Sequence, residues 1–424
     1  MRKMNLRNSV NLLFVCLLSS QFAIAQPFQG WRGPNRDGIY NETGLLKSWP
    51  AEGPQLLWET VEAGKGNASP VIVDNKIFIT GLNEDGDKEV FSAFTIDGKR
   101  IYQTTYGNPW KESFSETRTT PTLVGDKAYV ISGMGEVVCL NTANGEIVWT
   151  VDGEKEFGRK TGTWGVSESP LVFDGKVIYS PGGDKTAVVA LDAATGKTIW
   201  QSKPYGETST YVSPLLINHK GKREIIGMTG HHVIALNPDN GHIEWDYDGF
   251  AKEKKIETDG KISTNTPLFK DGHLFICNGY DVNSFMLELN DDASAVKLLW
   301  ENKDLDTHHG GFVLINGIIY GSNWTNNNQG NWGAVDWNTG ETKYDNAWTG
   351  GKGKGSVIAA DGMLYCYDER RGTVGLVKPV TDKFDVVSEF RITKGEGPYW
   401  AHLVIQDGVL YARHGSVLMA YKIK

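Results

Sequence analysis

Two pairs of adjacent histidines, His231-His232 and His308-His309, give this chain its clearest means of handling a proton or a metal ion. A neutral imidazole ligates transition metals, and its ordinary pKa suits general acid or base work near neutral pH. In extended chain, neighbouring side chains point to opposite sides. Each pair would then turn one ring inward, and His402 could complete a three-histidine site. The same rings could instead hydrogen-bond between structural units, and no metal set stands out. A histidine with Tyr211, or with Arg118 and Glu168, has the residue types for acid–base chemistry such as β-elimination on a uronic acid sugar. His309, Glu168 and Tyr211 are the catalytic candidates.

A ligand site can be read more broadly. Trp164, in WGVSESP (164–170), offers a flat face for stacking. Arg118, Glu168, Tyr211, Asn265, His308, His309, Lys354, Arg370 and His402 offer charge and hydrogen bonds. Aromatic surface with a few convergent polar groups is what a small-molecule or glycan pocket needs. Two further stretches have weaker readings. Asn83-Glu84-Asp85-Gly86-Asp87 has the composition of a calcium loop but lacks its closing glutamate, so it reads as a hairpin tip. WTNNNQGNW (324–332) is a lid, a sugar-stacking surface or a solvated hairpin end.

Residues so far apart in sequence can meet only if the fold gathers them, and a repeat does so. A Ser/Thr-Pro, three apolar residues, a turn and an apolar strand recur with their second residue at Pro70, Pro121, Pro170, Pro214 and Pro267. The phrase weakens but persists at Phe312, Val357 and Leu403. Between these copies lies a hairpin whose best example is ALDAATGKTIW (190–200), with Gly196 in the turn and Trp200 in the returning strand. Relatives of it end at Tyr102, Trp149, Trp245, Trp300 and Tyr344. Eight copies with up to four strands each predict an all-β, eight-bladed β-propeller. The eighth copy runs out after three strands, and PQLLWETV (54–61) is a strand without a local partner. It should complete the last blade and remove the ring's open edge. The candidate residues fall before innermost strands or between second and third strands, two loop sets that share one face of a propeller.

The hairpin resembles the tryptophan-docking motif of the pyrroloquinoline-quinone-like (PQQ-like) propeller family, Ala-x-Asp-x-x-x-Gly-Lys-x-x-Trp. Ala190, Asp192, Gly196, Lys197 and Trp200 match it. The resemblance runs from about residue 54 to the end. WGVSESP, HHGG (308–311) and WRGPNRDG (31–38) look most like the secreted, uncharacterised branch. The family also holds quinoprotein alcohol dehydrogenases and an outer-membrane protein-assembly lipoprotein. In the dehydrogenases PQQ lies over a tryptophan, with calcium held by acidic and amide side chains. By that analogy Trp164 would be the floor, with Glu168 and Asn265 the calcium ligands. The sequence departs from the pattern in having no adjacent cysteines and in carrying His308-His309 near the place of a catalytic carboxylate.

Composition narrows the partners. Residues 1–25 have a basic start, an apolar run and an Ala-x-Ala ending, which reads as a secretory signal peptide, with residues 26–52 an irregular arm anchored by Trp31 and residues 53–424 one propeller. No lipid anchor is expected at Cys16. Removal of the leader takes three cations from a chain already at −8, and there is no dense basic patch. Nucleic acid and anionic membrane surfaces are poor partners for such a chain. Cys139, Cys277 and Cys366 are dispersed, which suits buried free thiols. Three functions follow for an exported, periplasmic or extracellular protein, expected to be a monomer without a membrane span. It binds a polar small molecule or glycan at the channel mouth, oxidises an alcohol or sugar with PQQ, or acts as a non-catalytic scaffold for envelope proteins.

Overall fold

The computed structural model describes residues 29–249 and 263–424. The proposed leader and the first residues of the arm lie outside them. Among the described residues, strands form eight sheets, one for each copy of the repeated phrase, and within each blade the strands run antiparallel. Together they make an eight-bladed β-propeller. The innermost strands begin with Val71–Val73 in blade one and Thr122–Val124 in blade two, and end with Val404–Gln406 in blade eight. Gln55–Thr60 pairs antiparallel with Val417–Lys422 and completes blade eight. The early strand thus joins the two ends of the ring.

The recurring tryptophan fastens several blades to the next. Trp149 lies against the hairpin of blade three, where a Cβ on Gly196 would come within 2.8 Å of its ring. Gly196 also has φ +72°, so the turn and the ring contact both require glycine there. The indole N–H of Trp149 donates to the Ala193 carbonyl at 3.0 Å. The same pairing recurs for Trp200 on Pro238, Trp300 on Trp337, and Trp58 on Ile96 across the closure. A bulge just before each aromatic residue is shared by these hairpins. Cys139, Cys277 and Cys366 are buried free thiols in three different blades.

The arm does more than anchor through Trp31. Ile39–Tyr40 runs parallel to Gly355–Ala360, the innermost strand of blade seven, and Gln29 bridges Leu123 in blade two. The segment therefore crosses the central channel. Innermost strands have no neighbour on the axial side, so their outermost carbonyls need donors. Two arginines supply them. Arg32 donates to Phe312 O at 2.6 Å and Val357 O at 2.9 Å, and Arg36 to Pro170 O at 2.6 Å and Ser169 O at 3.0 Å. Burial lowers the pKa of Arg32 to about 10 and that of Arg36 to about 9, so both remain cationic at neutral pH.

Candidate functional site

Loops from both sets converge on a cavity of about 400 Å³. Trp31 of the arm closes its channel side and contacts His402, with ring centroids 5.4 Å apart. One wall is Trp164, nearly parallel to Tyr280 at 6.4 Å and 5.9 Å from Tyr211. Tyr211 Oη accepts the backbone N–H of Trp164 at 3.0 Å. Another wall is Trp400, edge-on to both Phe114 and His309. Arg118 links the two walls by donating to the carbonyls of Trp164, Ser113 and Phe114. Its guanidinium therefore positions aromatic loops as well as carrying charge.

The polar centre is His308, His309 and Glu369. The two imidazoles lie 4.3 Å apart on the same side of the chain. Neighbouring rings would point apart only in extended backbone. A bend at His309 and Gly310, followed by Gly311 at φ +66°, brings both to one side. His308 Nε2 lies 2.5 Å from Tyr280 Oη, and His309 Nε2 lies 3.4 Å from Glu369 Oε2. Lys354 is buried behind Glu369, bonded to Oε1 and, at 2.9 Å, to the Asn327 carbonyl. Desolvation lowers the pKa of His308 far below its ordinary value and that of His309 to about 3, with the Lys354 charge adding to both. Both rings are neutral at neutral pH. Burial raises the Glu369 carboxyl, and Lys354 opposes that rise.

Arg118, Trp164, Tyr211, His308, His309 and His402 line the cavity; Glu168, Asn265, Lys354 and Arg370 do not. His402 is committed to the protein. Its Nδ1 faces the Arg32 donor at 3.1 Å, so Nε2 carries the hydrogen and donates to His309 O at 2.9 Å. That bond leaves His402 no lone pair for a metal. His231 and His232 sit instead around Glu207, outside the cavity. The three-histidine site is therefore not assembled.

Asn265 is a clasp: its Nδ2 donates to Thr307 O at 2.7 Å, and its Oδ1 accepts from Gly311 N–H at 3.1 Å. Glu168 is buried against Ser180, accepting from its N–H and hydroxyl. The amide oxygen and carboxylate that a calcium-held quinone would call on are thus spent within the fold. Arg370 is exposed. Trp31 and Phe114 are lining residues that the repeat does not announce. Their one sequence signal is an aromatic residue in an otherwise polar, turn-rich stretch.

Burial raises the Glu168 pKa from 4.5 to about 8, with Arg36 opposing. The folded protein keeps this proton until about pH 8, whereas the unfolded chain releases it near 4.5. Stability from this group is therefore lost as pH rises through that window, by up to about 1.4 kcal/mol per unit. Glu168→Gln cannot release the proton. Its stability relative to the parent should climb between pH 5 and 8 in chemical denaturation. An offset that ignores pH would contradict the assignment.

A family model described as "Outer membrane protein assembly factor BamB" matches residues 87–343. The outer membrane protein assembly factor BamB of Burkholderia pseudomallei is 24% identical over 209 residues, covering 46% of this chain and 48% of that one. The chain thus spans about half the length of that relative. The quinohemoprotein alcohol dehydrogenase of Comamonas testosteroni is 26% identical, over 33% of this chain and 21% of its own. Among solved structures, BamB from Moraxella catarrhalis superposes with a TM-score of 0.63 at 14% identity, covering 87% of this chain and 99% of that one. At such identity the likeness concerns the fold alone.

Proposed function

The chain belongs to the family described as outer membrane protein assembly factor BamB, and from that footing we propose that it is a binding propeller whose cavity takes a small polar ligand with a ring face. A short glycan is the class that fits. The observation that supports this is a cavity of about 400 Å³ with Trp164, Tyr211 and Trp400 around a neutral histidine pair and a carboxylate. Sugar rings present an apolar face to aromatic side chains and hydroxyls to groups that both donate and accept. Neutral His309 with Glu369 meets the second need, and the ring surfaces of Trp164 and Trp400, which line the cavity, meet the first.

Titration of intrinsic tryptophan fluorescence with neutral and uronic oligosaccharides tests this reading. At least one should bind saturably, and Trp164→Ala should weaken it by about tenfold or more. Phe114 is 52% exposed. Phe114→Ala should therefore weaken binding while moving the melting temperature little, as surface substitutions do. Equal affinity in both variants, or no glycan bound, would contradict the assignment.

A second reading is favoured by the family match: a non-catalytic scaffold that docks envelope proteins. Crosslinking in cell envelopes, with recovery of barrel proteins through an exposed loop, would support it. A third, PQQ-dependent oxidation of an alcohol or sugar, comes with the quinohemoprotein relative. It requires that PQQ with calcium raise the melting temperature and support dye-linked oxidation. The commitment of Glu168 and Asn265 leads us to expect neither. All three readings take residues 1–25 as an export leader and place a monomer in the periplasm or outside the cell. Among the described residues, no helix is long and apolar enough to cross a membrane.

A further inference from the structure

His308 and His309 leave ring nitrogens that make no hydrogen bond within the fold, and Glu369 turns a carboxylate oxygen toward them. One nitrogen of each ring and one carboxylate oxygen lie within 4.8 Å of one another. His308 Nδ1 and His309 Nε2 are buried without a hydrogen-bond partner. Each such atom costs about 1–3 kcal/mol, a burden that calls for a reason. We propose that these three side chains bind one divalent transition-metal ion, with zinc as the representative, and leave a coordination position open to the cavity. Two imidazoles and a carboxylate are a donor set of that class, and three protein ligands beside a cavity is the open arrangement.

The surroundings support the ligands. A metal-bound imidazole ordinarily spends its other nitrogen on a fixed partner. With Nδ1 as ligand, His308 Nε2–H would donate to Tyr280 Oη, 2.5 Å away. Lys354 holds Glu369 through Oε1, which leaves Oε2 beside His309 Nε2. Its charge also weakens the pull on a second cation, so affinity falls below that of closed structural sites. Asn265 fixes the backbone on both sides of the pair, at Thr307 O and Gly311 N. The inference stands apart from the glycan reading, because the ion needs no sugar to bind.

Untagged full-length protein, stripped with chelator and dialysed, should be titrated with Zn²⁺ by calorimetry and with Co²⁺ by visible absorption. One ion per chain and ligand-field bands from Co²⁺ are expected. His309→Ala and Glu369→Gln should each lower Zn²⁺ affinity by about tenfold or more, and Tyr280→Phe by about tenfold with the stoichiometry kept. His231→Ala, outside the cavity, should bind as the parent does. Absence of both heat and Co²⁺ bands in the parent protein would overturn the proposal without relying on any variant. So would undiminished binding in a folded His308→Ala, His309→Ala double variant.

Discussion

Arg32→Ala should cost about 3–5 kcal/mol and release the arm from the channel. The side chain is 3% exposed and its two terminal nitrogens hold the carbonyls of Phe312 and Val357 and face His402. Its removal leaves two buried carbonyls without a donor, at about 1–3 kcal/mol each, and a cavity besides. It also frees His402 Nδ1 from the donor that sets its tautomer. Arg32→Lys should recover only part of the loss. An ammonium reaches one carbonyl well, whereas the planar guanidinium spans two blades. Urea denaturation gives the stability, and hydrogen exchange at Gly38 N–H, which bonds Arg32 O at 3.0 Å, reports on the arm. A loss under about 0.5 kcal/mol, within the range of an ordinary surface change, would show that the arm does not bear on the ring.

Trp200→Ala should cost a similar amount, about 3–5 kcal/mol, by a different route. The indole is buried, rests on the Gly241 turn of blade four, and donates to Pro238 O at 3.1 Å. Alanine leaves a void between blades three and four and an orphaned carbonyl. Trp200→Phe keeps most of the ring surface and loses the hydrogen bond, so about 1 kcal/mol is expected. A near-neutral alanine variant would mean that neighbouring blades hold together without the docked ring.

The propeller was legible because its determinants are local and repeated. Turn glycines Gly98, Gly145, Gly196, Gly241 and Gly340, each followed by an aromatic residue in the returning strand, state the hairpin within a dozen residues, and the orphan strand at Gln55–Thr60 completes the count. The arm was not legible beyond Trp31. It makes almost no regular structure and is held by arginines that seek backbone carbonyls, which carry no side-chain signature. Arg32 meets Phe312 across 280 positions of sequence. At the cavity, loop position brought Arg118, Trp164, Tyr211, His308, His309 and His402 together. Which way a side chain turns just before a strand was less readable. Glu168 adjoins Ser167, which lines the cavity, yet points into the body to meet Ser180. Asn265 likewise turns inward, to hold the histidine loop.

The most direct test of the cavity as the ligand site is a crystal structure with the best-binding oligosaccharide soaked in. We expect a sugar ring inside the cavity, its face on Trp164 or Trp400 and a hydroxyl within hydrogen-bond reach of His309 or Glu369. Well-defined sugar density elsewhere on the propeller, with only solvent between those two tryptophans, would contradict the account.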